Sequence, residues 1–335
     1  VRELTIAGQR IADDAPTWVV AEIGNTHQGD LAVAHHLIEA VARCGGAAVK
    51  FQLKTVELLY TRRVLEAPYA HEHSFGATYG AHKAHLELSD TALQACFAEA
   101  RRCGIVPFAT AFDELAVDRL MRLDPAAFKV HSGGVTDTPL LRCVASTGKP
   151  IIVSTGGATW ADVDRVVEVL TPRCRAFALL HCTAAYPVRD VAELNLQAIA
   201  KMRDRYPGTV IGWSGHDSGI AMALLAYSLG ARIIEKHVTL NRNMQGTDHA
   251  FSLEPVGLTK LVRDLRRAEL AQGDGEKRRY ASEDQALAKM SRTLVAAVDL
   301  RRGHILQPDD IDLKIAGEGL PPYLFEDVIG FPLAC

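Results

Sequence analysis

Residues 210–238 read VIGWSGHDSGIAMALLAYSLGARIIEKHV, and this stretch decides the fold. An apolar run, Val210–Trp213, breaks into polar Ser214 and His216. Over 218–229 apolar side chains recur at three- and four-residue spacing. A second apolar run, Arg232–Val238, then carries Glu235, Lys236 and His237 near its end. Short β-branched runs read as buried strands, and the helical period between them reads as a crossover helix. Two strands joined in this way are parallel neighbours.

The same unit recurs upstream. Apolar runs lie at Trp18–Ile23, Ala47–Phe51, Ile105–Ala109, Ala126–Val130, Ile151–Val153 and Ala176–Leu180, which makes eight with the two above. Helix-period segments at 31–44, 91–103, 114–123, 137–147, 160–170, 193–205 and 256–272 complete the alternation. Eight strand–helix units predict an α/β fold, a closed (β/α)8 TIM barrel, which takes about 250 residues. A doubly wound open sheet is the rival, and no GxGxxG follows the first strand to favour it.

Flanking segments differ in character. Residues 1–16 alternate apolar and polar around Gly8, with Leu4 and Ile6 apolar, and predict an N-terminal hairpin. The barrel is expected over 17–272. Residues 273–290 (GDGEKRRYASEDQALAKM) read as a polar linker with a helical turn or two. Residues 291–335, with RRGHILQPDDI and LPPYLF, read as a small β-rich domain. One connection is unusually long: residues 53–89 hold Tyr60, Tyr69, Tyr79 and four histidines, and a loop of that length is expected to be a functional lid.

Composition excludes several classes. The 335 residues are 48% hydrophobic and 23% charged, with net charge -3 and basic residues scattered or paired as in Arg62-Arg63 and Arg101-Arg102. No basic stripe exists, so no nucleic acid partner is expected. The seven cysteines (Cys44, Cys96, Cys103, Cys143, Cys174, Cys182, Cys335) are odd in number and never spaced CxxC. That argues against a disulfide framework and a thiolate zinc site; most are expected to be small buried apolar residues in a reducing compartment. The first residues show no basic-then-apolar pattern, so no signal peptide is expected, and no apolar run approaches the roughly 20 residues of a spanning helix. The expectation is a soluble, cytoplasmic protein without a membrane partner.

The chemistry-bearing residues sit at the carboxyl ends of the strands. Strand one ends in Glu22, strand two in Lys50 and Gln52, strand four in Lys129 and Ser132, and strand five in Ser154-Thr155-Gly156. Strand six ends in His181 and Thr183, strand seven in Ser214 and His216, strand eight in Glu235, Lys236 and His237. In a barrel these ends converge on the face that carries the active site. Lysines with hydroxyl donors suit a molecule bearing both phosphate and carboxylate. His216 and His237, on adjacent strands, suit a catalytic metal that keeps open positions. Two imidazoles with oxygen ligands fit manganese, magnesium or zinc.

These positions also carry a resemblance. AEIGNTHQGD (21–30), AVKFQ (48–52), FKVHSG (128–133), GKPIIVSTG (148–156), LLHCTAAYP (179–187), IGWSGHDSG (211–219), EKHVTL (235–240) and GTDHAFSLEP (246–255) together resemble the sialic acid synthase family. YGAHKAHLEL (79–88) and the SGH form of the seventh-strand motif are similar to the animal-type branch. Residues 291–335 resemble the antifreeze-like (SAF) domain of that family, in a shortened form.

The resemblance implies condensation of phosphoenolpyruvate with an open-chain aldose, giving a 2-keto-3-deoxy sugar acid and phosphate. It implies that Lys50, Lys129, Ser132, Ser154, Thr183 and Ser214 bind phosphoenolpyruvate, and that His216 and His237 hold a divalent metal, manganese first. Glu22 would handle protons or the attacking water, while Gln52, Tyr186, Glu235 and Asp248 would face the sugar. It further implies a homodimer in which the C-terminal domain swaps into the partner's barrel.

Departures from the pattern concern the acceptor. Thr26 replaces an Asn, His131 a Gly, Gly134 an acidic sugar contact, Ala184 an Asn or Ser, and Ile315 an arginine of the C-terminal domain. The expectation is an unchanged reaction on an altered acceptor: larger, lacking the N-acetyl group, or nucleoside-linked. Two other readings compete: a Schiff-base aldolase using Lys129, and a non-catalytic sugar-binding relative.

Overall fold

The computed structural model of the chain describes every residue except Arg175 and Cys335. Two units form, Val1–Gln272 and Gly273–Cys335. The first begins with an antiparallel hairpin, β1 (Glu3–Ile6) and β2 (Gln9–Ala12). Eight strands follow: β3 (Trp18–Glu22), β4 (Ala48–Leu53), β5 (Val106–Ala111), β6 (Phe128–Val130), β7 (Ile151–Ser154), β8 (Phe177–Cys182), β9 (Val210–Gly215) and β10 (Ile233–His237). They close in the order β10-β3-β4-β5-β6-β7-β8-β9, and every pairing is parallel. The (β/α)8 barrel expected from the alternation is the fold, and the open-sheet rival is excluded.

Alternation along each strand sorts side chains into two cores. Val19, Ala21, Val49, Phe51, Phe128, Val130, Ile211, Trp213 and Ile234 point outward and pack under the helices. Trp18, Val20, Ala48, Phe108, Ile152, Leu180, Val210 and Ile233 point inward and fill the amino-terminal half of the barrel. Leu4, Ile6 and Ile11 of the hairpin join that inner cluster, so the hairpin plugs the barrel floor. Each such buried aliphatic side chain contributes about 1.5–3 kcal/mol. The floor leaves no spare room at Gly212, where a Cβ would stand 2.4 Å from Leu180. Toward the carboxyl ends the inward positions turn polar, and there the barrel opens.

The covering helices have readable ends. Asp30, Ser89 and Asp113 cap the helices Leu31–Arg43, Asp90–Arg102 and Glu114–Met121 by accepting from backbone N–H groups of the first turn. Thr159 and Asp162 form a reciprocal capping box on Trp160–Leu170. The long connection contains three short helices, Val56–Leu59, Arg62–Leu65 and Tyr79–Leu86. Tyr69 packs edge-on to Tyr79 at 5.2 Å, and Tyr79 edge-on to Tyr60 at 5.3 Å.

The second unit pairs β11 (Thr293–Ala296) with β12 (Ile311–Lys314) and adds the helices Asp284–Met290 and Phe325–Val328. None of its described residues is fully buried, and Val298, Ile305, Ile315, Tyr323 and Phe331 are exposed. Of the six described cysteines, all unpaired, Cys96, Cys174 and Cys182 are buried and the other three are half-buried. Fewer are buried than the composition suggested; Cys335 lies outside the described residues. Among the described residues, no helix is long and apolar enough to cross a membrane.

Candidate active site

A cavity of about 560 Å³ opens at the carboxyl ends of the strands, and twelve of the thirteen expected site residues line it. Its base is a cluster of four buried charges. Nζ of Lys50 lies 2.9 Å from Glu22 and 3.6 Å from Oε1 of Glu235; Nζ of Lys129 lies 3.6 Å from the same oxygen. Lys50 donates to Thr110 at 3.0 Å, Lys129 to Ser154 at 2.6 Å, and Ser214 to Glu235 at 2.8 Å. Gln52 donates to the other oxygen of Glu22 at 2.7 Å. Oε2 of Glu235 is buried without a hydrogen-bond partner.

Burial and charge divide these groups. Burial opposes ionisation of Glu235, yet Lys129 and Lys50 overcome it and hold the carboxyl down at about 2. For Glu22 burial prevails over Lys50, and its proton affinity is raised. Lys129 is lowered by burial, which Glu235 offsets only in part. Lys50 is raised: Glu22 and Glu235 together outweigh its burial. The two carboxylates are thus pushed apart, one poised to take a proton and the other fixed as a counter-charge.

Two histidines stand beside this cluster, with ring centroids 5.3 Å apart. Nδ1 of His216 lies 2.9 Å from the Thr183 carbonyl oxygen, which can only accept, so Nδ1 carries the hydrogen and Nε2 keeps its lone pair. Nδ1 of His237 is buried with no hydrogen-bond partner; Asp248 lies 3.7 Å away, too far for one. Burial lowers both rings to about 4, so both are neutral. Neutral imidazoles with a free lone pair and an unpartnered nitrogen fit a divalent cation. Among the described residues no group of three or more His, Cys, Asp or Glu is placed to hold an ion, so water or substrate oxygens would complete the shell.

The rim is mixed. Tyr186 packs at a tilt on His216 with ring centroids 4.2 Å apart, and Phe251 lies 5.0 Å from His237. Asp248 enters from the loop after β10, and Ser132 from the turn after β6, where its hydroxyl accepts from Gly156 N–H at 3.1 Å. A Cβ at Gly156 would stand 2.6 Å from that hydroxyl, so only glycine fits. His131 stacks on Phe112 at 4.2 Å along one wall.

Thr183 does not join them. Its hydroxyl donates to the Glu193 carbonyl at 2.9 Å, turned away from the cavity, and only its own carbonyl serves the site by orienting His216. Thr183, expected to contact phosphate, is not among the residues that line this cavity, and its carbonyl meets His216 instead. The strand ladder stops at Cys182, one residue earlier, and alternation no longer dictates direction beyond it. Six lining residues had no role in the sequence reading: Asn25, Lys83, Thr110, Phe112, Gly133 and Thr247. Thr110 is the most telling, because the third strand runs on to Ala111 rather than ending at Ala109.

Comparison with known proteins agrees with this geometry. The NeuB family model matches residues 37–277. N-acetylneuraminate-9-phosphate synthase of Homo sapiens is 36% identical over 96% of this chain and 90% of its own length. N,N'-diacetyllegionaminic acid synthase of Campylobacter jejuni is 35% identical over 94% of this chain and 95% of its own length. Among solved structures, N-acetylneuraminic acid (sialic acid) synthetase from Leptospira borgpetersenii in complex with citrate superposes with a TM-score of 0.74 at 30% identity, covering 85% of this chain and 95% of that one.

Proposed function

The chain belongs to the NeuB family, and from that membership we propose that it condenses phosphoenolpyruvate with an open-chain aldose to give a 2-keto-3-deoxy sugar acid of the nonulosonate class. The observation that carries this reading is the buried cluster Lys50–Glu22–Glu235–Lys129 beside two neutral histidines. Phosphoenolpyruvate carries its phosphate ester and its carboxylate on one carbon, C2. Lys50 and Lys129, with Ser132, Ser154 and Ser214, supply the cations and donors for both.

In the reaction C3 of the enol attacks the aldehyde carbon, water adds at C2, and the tetrahedral intermediate releases phosphate by C–O cleavage. Glu22 takes the proton of the attacking water, a task its raised proton affinity suits. Glu235 stays ionised, keeps Lys50 and Lys129 in place and lets an incoming anion share them. Gln52, Asp248 and Tyr186 face the sugar end, where Tyr186 packs against Phe251. His216 and His237 would hold a divalent cation, manganese first, which when bound polarises the aldehyde oxygen as a Lewis acid.

The acceptor is an altered one: larger, lacking the N-acetyl group, or nucleoside-linked. Gly134 does not line the cavity, and a Cβ there would stand 2.7 Å from Val130, so no acidic side chain reaches the sugar from this position. His131 over Phe112 and the small Ala184 shape the wall instead.

The test is phosphate release from phosphoenolpyruvate with manganese and a panel of aldehydes. Aldehyde-dependent, chelator-sensitive release supports the reading. N-acetylmannosamine or its 6-phosphate as best substrate would sink the altered acceptor, and silence with every aldehyde would sink the condensation. The lowered proton affinity of Lys129 favours one second reading, a Schiff-base aldolase. Borohydride trapping of Lys129 with a carbonyl substrate would establish it. The proposal includes a homodimer built through an antifreeze-like C-terminal domain, supported by the exposed Val298, Ile305, Tyr323 and Phe331 of that unit. Light scattering of the full chain tests it.

A further inference from the structure

We infer that the buried ion pair Lys236–Asp217, outside the cavity, is a positioning device that fixes His216 relative to His237, the two residues that would hold a divalent cation. The inference rests on the metal-binding part of the reading above.

Each partner is one residue from a histidine: Asp217 follows His216, and Lys236 precedes His237. Alternation turns His237 into the barrel and Lys236 outward into the layer beneath the helices, where it is 0% exposed. Nζ of Lys236 donates to the Asp217 carbonyl at 2.6 Å and to its carboxylate at 2.8 Å, and lies 5.4 Å over the Trp213 ring. Two donors are thus satisfied by one residue, and the charge faces an aromatic ring.

The placement matters because the β9–β10 ladder stops there. Its last pair is Lys236 opposite Gly215, so His216 and Asp217 lie beyond the backbone bonds that tie these strands together. His216 is held on its other side, where its ring meets the Thr183 carbonyl and its own carbonyl accepts from Val188 N–H at 3.1 Å. Toward β10 the bonds from Lys236 continue where the ladder ends. Gly215 makes room for this arrangement, since a Cβ there would stand 2.1 Å from the Trp213 ring.

A purely stabilising role predicts something different. Burying two charges costs desolvation that their attraction barely returns, and apolar replacement of such pairs is often neutral for stability. What apolar residues cannot reproduce is the directional tie to Asp217, so metal affinity and fold stability should separate.

The experiment compares wild type with the double variant Lys236→Met/Asp217→Leu. Thermal unfolding, Mn2+ affinity by calorimetry and electron paramagnetic resonance, and phosphoenolpyruvate affinity are each measured. Expected is cooperative unfolding, wild-type phosphoenolpyruvate binding, and Mn2+ binding weaker by about tenfold or more. Mn2+ affinity within about twofold of wild type would overturn the inference, as would equal losses for both ligands. Asp217→Glu provides a second variant that keeps the charge and lengthens the tie by one methylene. It should weaken Mn2+ in the same direction, and unchanged affinity overturns the inference should the double variant not fold. Wild type that binds no Mn2+, Mg2+ or Zn2+ removes the metal itself and the inference with it. Metal binding that survives in every variant removes only the positioning role.

Discussion

Nζ of Lys50 sits 2.9 Å from Oε2 of Glu22, and both groups are buried at the mouth of the barrel. Glu22→Gln keeps the shape and the acceptor for Gln52 but removes the charge and the proton-accepting carboxylate. Expected is a fall in kcat of about 10²–10⁴-fold, the usual worth of a general base. KM for phosphoenolpyruvate should not rise, because one negative charge has left its binding site. Steady-state phosphate release checks this; unchanged kcat with raised KM would make Glu22 only a counter-ion.

Glu235 answers to both lysines. Held well below the usual carboxylate range by Lys129 and Lys50 against its burial, it is ionised near neutral pH. Glu235→Gln leaves Lys129 buried without its counter-charge, while Lys50 keeps Glu22. The unliganded variant should lose about 3–5 kcal/mol of stability, the cost of stranding one partner of a buried pair. Phosphoenolpyruvate supplies the missing negative charge and should raise Tm more in the variant than in wild type. Thermal unfolding with and without the ligand decides, and equal shifts would count against it.

Much of this was legible because strand alternation and barrel topology act together. Once β10 is read as a strand, Glu235 and His237 share its inner face and Lys236 the outer one. What escaped reading has physical causes. Thr110 lies between Ala109 and Ala111, and a small hydroxyl in an apolar run gives no end signal. Lys83 reaches the cavity from a helix inside the long connection, whose path no periodicity sets. Thr183 follows the last paired residue of β8, where side-chain direction is set by the Glu193 carbonyl rather than by the pleat. The role of Asp217 needed coordinates, since only the register shows that the ladder stops beside it.

His27 makes stability depend on pH. Gly29 N–H donates to its Nδ1 at 2.9 Å, which requires a neutral ring, and burial, aided by Lys54, lowers it from 6.5 to about 4. As pH falls below 6.5 the unfolded chain binds this proton before the folded one. Its contribution is complete above 6.5 and is lost progressively down to about 4, amounting to about 3 kcal/mol. His27→Asn keeps an acceptor for Gly29 without titrating. Urea unfolding between pH 7 and 4.5 should show a shallower slope in the variant, and parallel slopes would refute the assignment.

The wall formed by His131 and Phe112 should govern the acceptor and leave phosphoenolpyruvate alone. Their rings stack at 4.2 Å, tilted by 26°, and His131 is lowered to about 4 by burial with Lys129 and Lys50 nearby, so it meets the substrate uncharged. Its Nδ1 is buried without a partner, which adds a polar edge to an otherwise aromatic surface. His131→Ala removes one face of the stack, at about 0.5–1.5 kcal/mol of pair energy, and widens the cavity beside Phe112. The rank order of aldehydes by kcat/KM should change, with about 1–3 kcal/mol of discrimination redistributed among them. KM for phosphoenolpyruvate should stay where it was, since Lys50, Lys129 and the three serines are untouched. A uniform loss across every aldehyde, with the order preserved, would assign the wall to packing and send the search for specificity to Ala184 and Lys83 instead.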